Sequence, residues 1–159
     1  MSTFEISPAP ADFHEWDALH RLLTGAFAGM DGRIDPPSSL TRMGPDALRD
    51  KAAGEFLVLA REGGRLAGCG FGTDKAGAFH LSKLAVAPDR QGRGLLRQMM
   101  VVLEAEARRQ GLSALTLESR VELTENHAAF GALGFRKVGE NAHPGYYRKT
   151  SWAFRKELA

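Results

Sequence analysis

The residues best suited to chemistry form a glycine-containing turn between a short apolar segment and a helix. The apolar segment is Leu84-Ala85-Val86, and the turn that follows is Ala87-Pro88-Asp89-Arg90-Gln91-Gly92-Arg93-Gly94. The first amide groups of a helix lack partners within the helix and lie at the positive end of its dipole, so they can bind a phosphate. Glycine at 92 and 94 lets the backbone curl inward without a Cβ, and Arg90 and Arg93 add positive charge. The position of the turn after the apolar segment favours a phosphate-binding turn, although a glycine pair alone is more typical of a plain strand-to-helix turn.

Other catalytic chemistries find little support in the sequence. Cys69 is the single cysteine, which cannot form an internal disulfide and is typical of a reducing compartment. It lies within Leu66-Ala67-Gly68-Cys69-Gly70-Phe71, a pattern that indicates a buried strand, so we expect inert packing rather than a nucleophile. His and Cys do not occur at metal-ligand spacing, so no metal site is predicted.

The elements that must position the turn follow from the spacing of apolar residues. Apolar side chains three and four positions apart predict a helix over 12–29, and a short helix is expected at about 45–53. The Gly- and Pro-containing stretch between them is either a lid on the substrate side or an ordinary connecting loop. A β-hairpin is predicted from 56–60 to 65–72, with its turn at Glu62-Gly63-Gly64.

The second half of the chain alternates strands and helices. Strands are predicted at about 78–87, 113–120, 135–139 and 146–156, and helices at about 94–110 and 124–133. On the 94–110 helix, Glu104 and Arg108 form a favourably ordered i,i+4 pair, and Gly111 ends the helix. On the 124–133 helix, Thr124 is the expected N-cap and Gly134 ends the helix. Because no repeat or linker divides the chain, we predict a single α/β domain over residues 1–159 with mixed strand directions.

The turn before the 94–110 helix resembles the acyl-CoA pyrophosphate loop of the GNAT superfamily of N-acetyltransferases. The usual form of that loop is Gln/Arg-x-x-Gly-x-Gly/Ala; Gln91 and Gly94 match it, and Leu96 stands at the final Gly or Ala position. The resemblance implies a mixed, mostly antiparallel sheet of six to seven strands flanked by about four helices. It also implies that backbone groups of Leu84, Ala85 and Val86 pair with the pantetheine arm of acetyl-CoA as an added strand would. The residues that it assigns to the acetyl-CoA site in and after the turn are Gln91, Gly92, Arg93, Gly94, Leu95, Leu96 and Arg97.

A second segment, residues 124–135, resembles a later motif of the same superfamily. In that motif an Asn precedes a helix carrying a Tyr and the segment closes on Leu-Gly-Phe; here Asn126, Phe130 and Leu133-Gly134-Phe135 stand at those places. The resemblance assigns Asn126 and Phe130 to the acetyl-CoA site. Many members use the Tyr as the acid that protonates the departing thiolate, which Phe130 cannot do. A thiolate whose conjugate acid has a pKa of about 8.5 leaves readily near neutral pH, so the substitution is tolerable.

The resemblance implies transfer of the acetyl group of acetyl-CoA to a primary amine of a small molecule or a peptide N-terminus. An alkylammonium of pKa about 10.4 is mostly protonated at neutral pH, so a carboxylate or imidazole must take its proton, directly or through water. A Glu at the offset of Glu118, twelve residues before Phe130, is assigned as the base in members that acetylate protein N-termini. Glu118 is our first candidate for the base, and the alternative interpretation is an ion pair with Arg120 or another cation. His80 is the second candidate, and its alternative is a structural role.

Two further features are expected beside the reacting groups. A strand amide near Val86 is suited to polarise the thioester carbonyl, as a single oxyanion donor. The turn His143-Pro144-Gly145-Tyr146-Tyr147 offers polar groups that could line the amine site.

Charge and hydropathy bear on partners and location. The 21 basic and 19 acidic residues are interspersed and give a formal net charge of +2, which does not favour a nucleic acid or a membrane surface as partner. The first residues lack the pattern of a secretory signal and no apolar run approaches the roughly 20 residues of a membrane span, so we expect a cytoplasmic protein. A catalytically silent acyl-CoA-binding module of the same fold stays open as an alternative, as does a homodimer. A nucleotide-binding domain is disfavoured because its glycine fingerprints are missing.

Overall fold

The computed structural model describes residues 3–30 and 32–158. The strands are β1 (Glu5–Pro8), β2 (Phe56–Glu62), β3 (Arg65–Lys75), β4 (Ala78–Val86), β5 (Ala114–Arg120), β6 (Arg136–Asn141) and β7 (Ser151–Glu157). The α-helices are α1 (Trp16–Phe27), α2 (Pro45–Gly54), α3 (Leu95–Arg109) and α4 (Thr124–Ala132). Short 3₁₀ helices lie at Ala28–Met30, Ser39–Arg42 and Pro88–Arg90.

The strands form one sheet in the order β1-β2-β3-β4-β5-β7-β6. Neighbouring strands are antiparallel except β4 and β5, which run parallel. That parallel pairing covers only Phe79 with Leu115 and His80 with Thr116. Beyond these two pairs the strands part, which opens a gap at the middle of the sheet. The predicted mixed, mostly antiparallel sheet is confirmed.

Helices cover both faces of the sheet. On one face α1 and α2 bury Leu19, Leu23 and Leu48 against strand residues such as Leu57 and Phe71. On the other face α3 buries Met99 and Leu103 against Val58, Phe79 and Leu115. Successive residues of β2 are therefore buried on opposite sides, which explains its continuous apolar run.

A β-bulge interrupts β4 at the gap. Cys69 of β3 pairs with Ala85 and Phe71 pairs with Ser82, so Lys83 and Leu84 together oppose Gly70. Lys83 has a left-handed backbone, with φ of 51°. A Cβ on Gly70 would lie 2.6 Å from Leu84 Cδ2, so any larger residue opposite the bulge would require the Leu84 side chain to shift.

Several details differ from the sequence-based expectations. β1 was not predicted, because a four-residue and mostly exposed edge strand has no hydrophobic periodicity. β7 begins at Ser151 rather than 146, because Tyr146 and Arg148 lie in a turn and bind Asp35. The prediction of Thr124 as an N-cap is wrong: the buried Leu123 holds that position without a side-chain cap, and Thr124 is the first helical residue.

In the described part of the chain, none of the helices combines the length and the hydrophobicity needed to cross a bilayer.

Candidate active site

A cleft of about 870 Å³ lies where β4 and β5 stop pairing. Its walls come from β4, β5, α4, the segment after α1 and the β6–β7 loop. Of the residues predicted from sequence, it brings together His80, Leu84, Glu118, Asn126, Phe130, His143 and Tyr146. Residues 36–42 of the Gly- and Pro-containing stretch also line it, with the exception of Leu40, so this stretch lies at the cleft rather than away from it.

Glu118 is an exposed carboxylate on β5 that faces this cleft. Its Oε1 accepts hydrogen bonds from Asn141 Nδ2 at 2.7 Å and from Ser151 Oγ at 3.3 Å. Within the described ranges, Oε2 has no hydrogen-bond partner and Glu118 forms no ion pair. The guanidinium of Arg120 instead donates to the carbonyl oxygens of Pro36 and Pro37. One oxygen thus orients the carboxylate while the other is available to a proton donor.

His80 lies on the same face of the sheet as Glu118. It pairs across the strands with Thr116, which is two positions before Glu118 on β5. Its Nδ1 lies 2.9 Å from Thr116 Oγ1. Burial lowers the pKa of His80, and the positive charge of Lys75 adds to this, whereas the charge of Glu118 acts in the opposite direction. The environment therefore favours a neutral imidazole near pH 7.

The glycine turn has the backbone conformation that an anion site needs. Gly92 and Gly94 have φ of 78° and 80°, and Gly94 is the N-cap of α3 without a side-chain cap. The first hydrogen bond within the helix runs from Gln98 N to Gly94 O at 3.1 Å. The amides of residues 95–97 come before it and therefore have no acceptor within the helix. No heavy atom lies within 4 Å of a Cβ built on Gly94, so backbone conformation rather than space requires glycine there. The turn fits a phosphate group.

The two arginines of the turn form ion pairs with a carboxylate of the protein itself, that of Glu62. Arg90 Nε lies 3.1 Å and Arg93 Nη1 lies 3.0 Å from the same Glu62 Oε1, and the Arg93 guanidinium stacks 4.6 Å from the Phe4 ring centroid. Glu62 therefore neutralises part of the positive charge expected of this turn. Arg97 is exposed in the first turn of α3.

The other cofactor positions divide between the core and the β4 edge. Leu95 is buried, and Leu96 packs against the core on the α3 side. The side chain of Leu96, at the position where the motif usually has Gly or Ala, therefore contributes to packing, and its backbone amide is still present. Leu84 and Val86 pack on that same side and Ala85 on the opposite one, which leaves the β4 backbone edge facing the gap. Gln91 Nε2 donates to Val86 O at 3.3 Å. Of these positions only Leu84 lines the cleft; the turn at 91–96 lies outside its lining.

The α4 residues lie at the far wall of the gap. Asn126 is half-buried and lines the cleft. The half-buried ring of Phe130 lies 5.9 Å from that of Phe135 and 6.1 Å from that of Phe154, measured between centroids. Phe130 is thus both a cleft residue and part of an aromatic cluster.

Sequence reasoning missed several cleft residues. Lys83 lines the cleft, as His80 does. Asn141 and Ser151 donate to Glu118 although they are 23 and 33 residues away along the chain. No local pattern signals such contacts. The expectation for Cys69 fits its environment: the thiol is buried, and burial raises its pKa to about 12. The described residues hold no group of three or more His, Cys, Asp or Glu side chains placed to bind a metal ion.

Comparison with known proteins adds a family and a set of folds. A family model described as "Acetyltransferase (GNAT) family" matches residues 16–135. Aminoglycoside N(6')-acetyltransferase type 1 of Stenotrophomonas maltophilia is 30% identical over 140 residues, which cover 81% of this chain and 83% of that protein.

Solved structures share the fold at lower identity. PaiA N-acetyltransferase of Thermoplasma acidophilum, in complex with coenzyme A, superposes with a TM-score of 0.83 at 11% identity, over 98% of this chain and 99% of that one. A GNAT family acetyltransferase of Elizabethkingia anophelis with acetyl-CoA bound gives a TM-score of 0.70 at 17% identity, over 98% of each chain.

Proposed function

Because the chain belongs to the GNAT acetyltransferase family, we propose that it transfers the acetyl group of acetyl-CoA to a primary amine, with Glu118 as the proton acceptor. The observation that carries this proposal is the position of Glu118 in the cleft between the parted strands. The backbone edge of β4 leads from that cleft to the glycine turn at the start of α3. A long thioester could therefore place its phosphates at the turn and its acetyl group near Glu118.

The reaction requires one proton acceptor and one leaving group. The amine nitrogen attacks the thioester carbonyl carbon, Glu118 Oε2 takes the amine proton directly or through one water, and the carbon–sulfur bond breaks. Coenzyme A leaves as a thiolate and acquires its proton from solvent, since Phe130 cannot supply one. A backbone amide at the β4 edge near Val86 stabilises the negative charge that develops on the carbonyl oxygen.

The neighbours of Glu118 suit this role. Asn141 and Ser151 both donate to Oε1, so they orient the carboxylate and leave Oε2 available to accept a proton. His80 is the alternative base, since its lowered pKa keeps it neutral and able to accept a proton. The acceptor in the name of the Stenotrophomonas relative is an aminoglycoside, which makes amines the class to test first.

The proposal is tested by incubating the protein with acetyl-CoA and a panel of amines and measuring thiol release. The panel consists of free amino acids, peptides with free N-termini, polyamines and aminoglycosides. We expect release with at least one amine and a thermal shift with acetyl-CoA but not with NAD or ATP. A shift with NAD or ATP alone would overturn the cofactor assignment. Binding of acetyl-CoA without release by any amine would instead indicate the catalytically silent module.

A further inference from the structure

The cleft has an uneven distribution of charge. Among the described residues, the cationic side chains of Arg42, Lys83 and Arg120 line it together with one carboxylate, that of Glu118. The two imidazoles in the lining, His80 and His143, have pKa values lowered by burial, so they add little charge near pH 7. An occupant of this cleft therefore meets an excess of positive potential.

Lys83 is a half-buried cation of the cleft that has no carboxylate partner among the described residues. It is half-buried in the β4 bulge with φ of 51°, a conformation that non-glycine residues rarely adopt and that often marks functional sites. Its Nζ donates to Ser39 Oγ at 2.6 Å, and no carboxylate of the described residues forms an ion pair with it. Burial lowers the pKa of Lys83, and the charges of Lys51 and Arg120 lower it further. A partly buried cation of this kind is normally paired with an anion.

Neither of the other two cations forms an ion pair with a carboxylate of the described residues, although the charges of Glu122, Asp35 and Glu118 act on Arg120 through space. In the described ranges Arg120 forms no ion pair; it donates to the carbonyl oxygens of Pro36 and Pro37. Arg42 is exposed and likewise forms no ion pair there. The described lining therefore leaves Lys83 and Arg42 without an ion-pair partner, which suits an occupant that brings a negative charge.

We infer that the acetyl acceptor carries an anionic group beside its amine, of which the carboxylate of a free amino acid is the simplest form. Lys83 binds the anionic group and Glu118 faces the amine, so each charge of a zwitterion meets its opposite in the cleft. A polycationic aminoglycoside meets repulsion from the three cations instead. This inference rests on the proposed function, and it leaves the transfer step unchanged because the anionic group takes no part in it.

The inference is tested with matched acceptors that differ in charge. The twenty L-amino acids are compared with the corresponding amino acid amides, with O-phosphoethanolamine and with kanamycin, each with acetyl-CoA, by measuring kcat and KM from thiol release. We expect at least one amino acid to exceed its amide by about 10- to 100-fold in kcat/KM, as a charge-assisted contact provides. O-phosphoethanolamine as the best acceptor would identify a phosphate as the anionic group. Amides or kanamycin turned over as well as the amino acids would overturn the inference and leave the proposed function standing.

Variants at position 83 assign the preference to one side chain. Lys83→Met should raise KM for the best anionic acceptor by about 10-fold or more and leave kcat/KM for its neutral analogue within about threefold. Lys83→Arg should restore most of the preference, and Lys149→Met, at an exposed lysine outside the cleft lining, should match the wild type. Equal losses with charged and neutral acceptors would show that Lys83 is structural. A rise in KM for acetyl-CoA alone would show that it binds the donor; either result overturns the assignment.

Discussion

Replacing Glu118 by Gln removes the proposed proton acceptor and keeps the shape of the side chain. The amide oxygen of Gln can still accept from Asn141 Nδ2 and Ser151 Oγ, so the local arrangement should persist. General-base catalysis contributes about 10²- to 10⁴-fold, so kcat should fall by about that factor, equivalent to about 3–5 kcal/mol in the barrier. Binding of acetyl-CoA should survive, because the proposed donor site lies at the glycine turn and the β4 edge.

The effect on stability should be small by comparison. Two hydrogen bonds change from charge-assisted to neutral, and solvent screens the difference because Glu118 is exposed. We expect a loss of at most about 1 kcal/mol, which lowers Tm by about 2–4 °C in a protein of this size. The folded fraction at 25 °C is then unchanged, so lost activity reports on chemistry rather than on unfolding.

The assay measures kcat from thiol release and Tm on the same preparation, with the best amine of the panel. Glu140→Gln is the matched control, because Glu140 is an exposed carboxylate on β6 beside Asn141 but outside the cleft lining. As pH rises towards the pKa of the amine, the Glu118→Gln variant should regain activity, since the acceptor then arrives deprotonated. Full activity in Glu118→Gln together with a loss in His80→Ala would refute the reasoning and transfer the role of base to His80.

Three further outcomes are expected. Gly94→Val should abolish the thermal shift caused by acetyl-CoA while the protein stays folded, because φ of 80° is strained for a β-branched residue. Gly111→Val is the control: Gly111 has φ of 77° beyond the other end of α3, so this variant should carry similar strain and keep the shift. Phe130→Tyr should leave acetyl-CoA affinity within a few-fold and kcat unchanged or modestly higher, as kinetics and calorimetry can check; complete inactivity would mean that no hydroxyl fits in the aromatic cluster. The Cys69 thiol should resist a thiol reagent at pH 8 in the folded protein and react after denaturation in guanidinium, because burial raises its pKa to about 12; rapid labelling of the native protein would contradict this.

Much of the fold could be predicted because its signals are local. The apolar stripes of α1 and α3 and the β2–β3 hairpin depend on residues within a few positions of one another, and the structure has them where the spacing predicted. β1 escaped prediction because its place is set by pairing with β2, some fifty residues later in the chain. Leu123 displaced Thr124 at the start of α4 because burial outweighed a local capping preference.

The candidate site likewise has parts that local sequence predicted and parts that only contacts between distant residues determine. The candidate phosphate-binding turn could be predicted from the sequence, since left-handed backbone at Gly92 and Gly94 and the amides of a helix start are properties of adjacent residues. Family motifs added the donor and the class of reaction. The arrangement around Glu118 depends on Asn141 and Ser151, and the cleft itself depends on β4 and β5 parting after two residue pairs.

Tertiary structure alone also decided the charge of the site. In the sequence Arg93 reads as a phosphate ligand and Lys83 as one residue of a strand; in the fold Arg93 binds Glu62, while the bulge opposite Gly70 brings Lys83 to the cleft without a carboxylate. Which charges neutralise one another depends on distances through space, and a linear sequence of interspersed charges does not contain those distances.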